Sequence, residues 1–247
     1  MDVVFNHMPS AQNSSFDKIV PGYYFRGRND SGAGSDTASE RVMFRKFMAD
    51  VTETWIKEYK LSGYRFDLMG LHDVDTMNTV SDRVNAALKE INPDSKAIIY
   101  GEGWNMYKGG KNMKMATQTN VKELHDVGAF NDTFRDAVKG QGDNNERGWA
   151  LANTGKASNI KLTLAYSYST TYAGNSINYV EAHDNMTLWD KLQLSGEGIY
   201  NNEQLRKADV LAAGLVLTSQ GTSFIHAGQE MLRTKQIDPN EEIENII

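Results

Sequence analysis

The run over residues 63–70, Gly-Tyr-Arg-Phe-Asp-Leu-Met-Gly, constrains this chain more than any other stretch. Its residues favour a buried strand, and side-chain alternation along a strand puts Arg65 and Asp67 on one face. A guanidinium that close favours the ionised form of Asp67. An ionised carboxylate at the C-terminal end of a parallel strand is where an α/β barrel carries a nucleophile. Taken alone, the run reads more simply as an Arg–Asp pair stapling a strand end. The rest of the chain changes the balance by repeating the design.

Residues 2–5 form a buried, β-branched run that ends at Asn6, His7, Met8 and Pro9, where the proline sends the chain into a loop. The polypeptide thus begins inside a strand. A long Gly/Ser/Asn-rich loop with Tyr23, Tyr24 and Phe25 is expected over residues 10–36. Thr37 and Glu40 then frame a capping box, with Val42, Phe47, Val51, Trp55 and Tyr59 at helical spacing, and Gly63 is expected to end that helix. The second cycle is similar: Asp75 caps a helix over 76–91 stopped by Pro93, and a strand over 97–100 delivers Gly101, Glu102, Gly103 and Trp104.

A polar loop with a short helical turn fills 105–125, a strand spans 127–130 and a helix 131–138. A helix near Trp149 precedes a Tyr/Ser/Thr-rich loop. The strand over 177–180 delivers Glu181, Ala182, His183, Asp184 and Asn185, a helix spans 204–219, and a last strand over 222–225 ends at His226. Strand ends near 6, 67, 102, 130, 183 and 226, alternating with helices, predict parallel βα units. The fold class expected is α/β, a (β/α)8 TIM barrel that is incomplete, with strands three to eight only. Residues 1–235 would form this partial catalytic barrel and 236–247 an exposed C-terminal tail.

The length of 247 residues and 40% hydrophobic content suit one large α/β domain. A formal charge of −6 without a block of like charge argues against nucleic acid or an anionic membrane as partner. Cysteine is absent, which removes disulfides, a thiol nucleophile and a Cys-based zinc site. No apolar run approaches the ~20 residues that span a bilayer, and no leader is visible. Because the chain reads as a fragment, location stays open between secreted, cell-surface and cytoplasmic, and so does oligomeric state.

Three carboxylates, Asp67, Glu102 and Asp184, fall at the C-terminal ends of three parallel strands, and His7, His183 and Arg65 join them on that face. Two chemistries fit: glycoside hydrolysis by an acid and a nucleophile, or a divalent cation held by oxygen ligands. Aromatics near the carboxylates (Trp104, Tyr64, Tyr23, Tyr24) suit stacking on a sugar, and Arg65 would burden a cation cage, so sugar chemistry is preferred. No metal ligand is assigned and no cofactor is expected, although a structural calcium ion is compatible. His226, His72, His125, Glu123, Glu181 and Glu230 read as structural, His125 without a nameable partner.

Four segments carry a resemblance: Asp2 to His7, Gly63 to Asp67, Gly101 to Trp104, and Tyr179 to Asn185. In that order they resemble the four sequence regions of the α-amylase superfamily, glycoside hydrolase family thirteen, on its third, fourth, fifth and seventh barrel strands. The segment from Phe66 to Asp73, the Gly-Glu-Gly-Trp run, Leu188 to Asp190 and His226 to Glu230 are similar to bacterial type I pullulanases. The resemblance implies a retaining hydrolase of α-1,6-glucosidic branch linkages in pullulan, starch or glycogen-derived glucans, with an α-glucan polysaccharide or oligosaccharide as its partner. Asp67 would be the nucleophile, Glu102 the general acid and base, and Asp184 the stabiliser of the distorted sugar. Arg65 would hold Asp67 ionised and aligned, His7 and His183 would donate to sugar hydroxyls, Trp104 and Met69 would wall the leaving glucan, and Asp2 and Asn6 would be scaffold. The alternatives are isoamylase or endo-α-1,4-amylase activity and, from another class, a truncated chain that only binds glucan. With strands missing, the isolated chain is expected to hydrolyse poorly.

Overall fold

In the computed structural model, which describes residues 1–110, 112–165 and 173–237, the strand-like runs become short parallel strands joined by helices. The chain divides into two units, Met1–Phe130 and Asn131–Ile247.

The first unit runs β1 (Asp2–Val3), β2 (His7–Met8), α1 (Ser15–Ile19), β3 (Ser35–Asp36), α2 (Val42–Tyr59), β4 (Gly63–Phe66), α3 (Val74–Ile91), β5 (Ile98–Gly101) and β6 (Val127–Phe130). Strand β4 lies between β1 and β5, β5 pairs with β6, and all three pairings are parallel. The register sets Val3 opposite Phe66 and Phe66 opposite Gly101. Gly101 is required there, because a Cβ would fall 2.4 Å from the Phe66 carbonyl oxygen. The long loop expected over 10–36 is more ordered than its composition implies: it holds α1, and β2 and β3 pair antiparallel across it.

Side chains of α2 and α3 close over the sheet in one apolar cluster that includes Phe44, Met48, Ile56, Phe66, Met77, Val80, Val84 and Val127. The two helix starts differ from expectation. The capping box does not form, because Thr37 Oγ1 donates to the Phe5 carbonyl (2.6 Å), Ser39 Oγ to Asp73 (2.6 Å), and Glu40 pairs with Arg26 (2.8 Å). Helix α2 starts one residue beyond Arg41 with no side-chain cap. Helix α3 is capped by Asp73 instead of Asp75, its carboxylate accepting from the Thr76 N–H at 2.9 Å. Helix α2 ends on Lys60 in the left-handed region (φ 58°), which leaves Gly63 to open β4.

The second unit runs α4 (Asp132–Lys139), α5 (Ala157–Ala165), β7 (Ser176–Asn178), α6 (Leu188–Gly196), α7 (Asn202–Thr218) and β8 (Thr222–Ser223), with β7 and β8 parallel. The helix expected near Trp149 is a single 3-10 turn, Trp149–Leu151. A second apolar cluster joins Phe134, Val138, Leu151, Val180, Leu188, Leu192, Leu205, Ala212 and Val216. Helix α7 opens with a capping box between Asn201 and Gln204. Part of the Tyr/Ser/Thr-rich loop and residues 238–247 of the expected tail lie outside the described residues. No helix among the described residues is long and apolar enough to cross a membrane.

Candidate active site

Because Phe66 and Gly101 are paired, the residues that follow them, Asp67 and Glu102, leave neighbouring strands at the same level. Arg65, only 8% exposed, stands one step behind Asp67. Its Nη1 donates to Asp2 Oδ1 and Asp67 Oδ1, each at 3.0 Å, and its Nη2 lies 2.8 Å from Glu102 Oε1. One guanidinium therefore grips three carboxylates. Burial pulls down the Arg65 pKa, but Glu102, Asp2 and Asp67 together raise it above the ordinary guanidinium value.

The other oxygens of Asp67 and Glu102 are also bonded. Glu102 Oε2 accepts from the Leu68 N–H at 2.8 Å, and the Glu102 carbonyl accepts from the Gly70 N–H at 2.8 Å. The turn that supplies both donors starts with Leu68 in the left-handed region (φ 39°), a costly place for a branched apolar residue. Asn6, fully buried, donates from Nδ2 to the Asp67 carbonyl (2.8 Å) and to Asp67 Oδ2 (2.9 Å). Those two bonds orient the Asn6 amide, so its Oδ1 is the acceptor for His7 Nδ1 at 2.6 Å. Neutral His7 consequently keeps a lone pair, not a proton, on Nε2.

In the second unit, His183 and Asp184 follow β7 and are exposed, with His183 Nε2 3.5 Å from Asp184 Oδ1. Glu181 is buried beneath them, its Oε1 3.0 Å from His226 Nδ1 and its Oε2 accepting from the Leu188 N–H at 2.5 Å.

Several expectations need correction. Met69 is fully buried in the first apolar cluster, against the backbone of Gly101, so it supports the site from below and offers no wall to a glucan. Tyr64 is 1% exposed, donates its hydroxyl to the Thr52 carbonyl and is pushed up to about 12 by burial, so it cannot stack on a sugar. Tyr24 packs among Phe16 and Phe44, and the Tyr23 hydroxyl accepts from the Met43 N–H, so these rings serve α1 and α2. Trp104 is partly buried, two residues past Glu102. His125 does have a partner, Asp82, at 3.2 Å. Among the described residues no group of three or more His, Asp or Glu side chains is placed to hold a metal ion. Sequence reasoning missed the Arg65–Glu102 contact. It was accessible in principle, since adjacent strands are ~4.8 Å apart and an arginine spans that gap.

Adjacent parallel strands thus deliver two carboxylates onto one buried guanidinium. No family model matches the chain. It is 40% identical over 250 residues to the pullulanase of Bacillus subtilis (strain 168), covering 96% of this chain and 34% of that protein. It is 30% identical to chloroplastic pullulanase 1 of Arabidopsis thaliana, covering 96% of this chain and 31% of that one. Among solved structures, type I pullulanase of B. subtilis with maltose superposes with a TM-score of 0.86 at 39% identity, over 95% of this chain and 34% of that chain. Pullulanase of Anoxybacillus sp. LM18-11 with maltotriose gives 0.83 at 42% identity, over 95% and 34%. The chain is homologous to the type I pullulanases and matches part of their catalytic region. It spans about a third of the length of the B. subtilis and A. thaliana relatives.

Proposed function

We propose that this chain carries the nucleophile and the acid–base of a retaining α-glucan hydrolase acting on α-1,6-glucosidic branch linkages. The observation that carries the reading is the shared guanidinium. A single Arg65 touching both Asp67 and Glu102 favours the close carboxyl spacing of retaining enzymes, ~5–5.5 Å, over the ~6.5–9.5 Å of inverting ones.

In this reading, Asp67 attacks the anomeric carbon while Glu102 protonates the departing glycosidic oxygen, leaving a glycosyl ester on Asp67. Glu102, now a carboxylate, takes a proton from water, whose oxygen attacks the anomeric carbon and releases Asp67. In the present arrangement Arg65 lies against Glu102 Oε1 and the Leu68 N–H donates to Glu102 Oε2, which fixes the plane of the carboxyl that would carry the proton. His7 Nε2 would accept from a sugar hydroxyl when neutral. Asp184 and His183 are proposed to bind sugar hydroxyls, and Trp104 to flank the leaving glucan, on the strength of the match to the pullulanases. The branch-linkage preference and the α-glucan substrate rest on those relatives, two of which hold maltose or maltotriose.

The test is reducing-end release from pullulan, with linear amylose as comparison, by the parent chain and by Asp67→Asn and Glu102→Gln. Loss of ~10⁴-fold or more in both variants is expected, as for removal of essential catalytic groups. Equal release by the parent and Asp67→Asn would overturn the assignment.

A further inference from the structure

Asp184 sits on an exposed loop with little of its own to hold it. Asn185, the next residue, adopts the left-handed region at φ 61°. What fixes the loop comes from far along the chain. Lys235 Nζ donates to the carbonyls of both His183 (2.7 Å) and Asn185, so it spans the backbone on either side of Asp184. Lys235 is itself anchored: its backbone N–H donates to Asp190 Oδ2 at 2.9 Å, and Thr234 Oγ1 donates to Asp190 Oδ1 at 2.5 Å.

Asp190 is fully buried in the first turn of α6, where Thr187 caps its N–H. A rigid point in the second unit thus holds residues 234–235, and these hold the loop. Among the described residues the Lys235 ammonium makes no ion pair. Its charge is solvated by two carbonyls, so its effect falls on backbone geometry.

We infer that Lys235 is a positioning residue that clamps the backbone on both sides of Asp184 and so sets how this carboxylate meets a glucan. The inference rests on the role proposed for Asp184, and the clamp itself can be read without it. A bond from one ammonium to carbonyls two residues apart fixes the intervening Cα, which is how a side chain on a loop acquires the precision otherwise given by a strand. No side chain between Glu181 and Leu188 supplies this restraint: the Met186 N–H bonds to Asp143 and the Leu188 N–H to Glu181, which secure only the far side of the loop.

The experiment uses the 247-residue chain and the variants Lys235→Met, Lys235→Arg and Thr234→Val. Hydrogen exchange is followed in a peptide containing the Met186 and Leu188 amides, alongside maltotriose affinity and pullulan hydrolysis. For Lys235→Met, exchange there should rise by about tenfold or more while the amides of α7 keep their protection. Maltotriose affinity and kcat should fall with it. Lys235→Arg, whose fork can reach both carbonyls, should restore both readouts, and Thr234→Val should shift them part of the way.

Unchanged exchange in Lys235→Met overturns the clamp, whatever the glucan assays give. Raised exchange with unchanged hydrolysis by an active parent overturns the positioning role. A parent that neither binds maltotriose nor opens pullulan overturns the glucan reading and the role of Lys235 within it, while exchange still reports the clamp separately.

Discussion

Arg65 approaches Glu102 at 2.8 Å, closer than the 3.0 Å at which it meets Asp67. The guanidinium therefore couples the two carboxylates and serves more than the alignment of one of them. Removing it would leave Asp2, Asp67 and Glu102 clustered without their cation. Arg65→Ala should lower pullulan hydrolysis by ~10²–10³-fold, the usual scale for losing a preorganised charge partner. Arg65→Lys keeps the charge but loses the fork, so it should recover only part of the rate. Equal rates for Arg65→Lys and the parent, in steady-state assays, would show that two-pronged contact is dispensable.

The turn after Asp67 leaves no room for a side chain at residue 70, since a Cβ on Gly70 would lie 1.9 Å from the Trp104 carbonyl oxygen. Gly70→Ala must move either this turn or the loop after Glu102. Stability should fall by more than ~2 kcal/mol and glucan turnover with it, because the Leu68 and Gly70 N–H groups that hold Glu102 belong to the same turn. Denaturant unfolding and a hydrolysis assay of the same sample check both.

Asp209, on α7, is 4% exposed, and its Oδ2 has no hydrogen-bond partner. Burial, with a smaller push from Glu181, raises its pKa to about 7. A carboxyl whose folded pKa lies above its unfolded value near ~4 stabilises the fold when protonated. That contribution is complete below pH ~4 and is lost as pH rises through about 7. Asp209→Asn should therefore gain on the parent as pH rises from 5 to 8, by on the order of a few kcal/mol. Thermal melts of both proteins across that range give the answer, and a constant difference in Tm would refute it.

His72 behaves in the opposite sense. It is fully buried, neither ring nitrogen has a partner, and its ring meets Phe66 edge-on at 6.3 Å. Burial, helped by Arg26, pushes its pKa down to about 3. A folded pKa below the unfolded ~6.5 means stability is present above that value and is lost as pH falls toward 3. His72→Leu removes both the orphaned nitrogens and the acid-sensitive group. Its melting temperature should overtake that of the parent between pH 6.5 and 4, whereas parallel curves would show that another group sets the acid limb.

The parallel βα order and the strand ends at Asp67 and Glu102 were legible in the sequence because strand runs, helical spacing and glycine breaks all agree there. Helix boundaries were less so. Thr37, Ser39 and Glu40 have the composition of a cap, but Phe5, Asp73 and Arg26 compete for them, and those partners are distant in sequence. Asp73 and Asp75 are equivalent as caps on paper, and the buried hydroxyls of Ser39 and Thr76 select the former.

The aromatic and sulfur side chains misled in a different way. Tyr64 and Met69 flank Asp67 in sequence, yet strand alternation and the tight turn at Leu68 send both inward. Proximity along the chain is a poor guide to which residues face a ligand. The His7–Asn6–Asp67 chain of hydrogen bonds joins residues from either side of α2, and nothing in the local pattern announces it.

The one-to-one alignment of Phe66 with Gly101 leaves no slack between the two acids. Adding or deleting a single residue inside either strand would turn its terminal carboxylate to the opposite side of the sheet and leave Arg65 facing an empty partner. Redesign of this chain thus has close to no latitude along these two short ribbons of backbone, nor in the turn from Leu68 to Gly70 whose N–H groups reach Glu102.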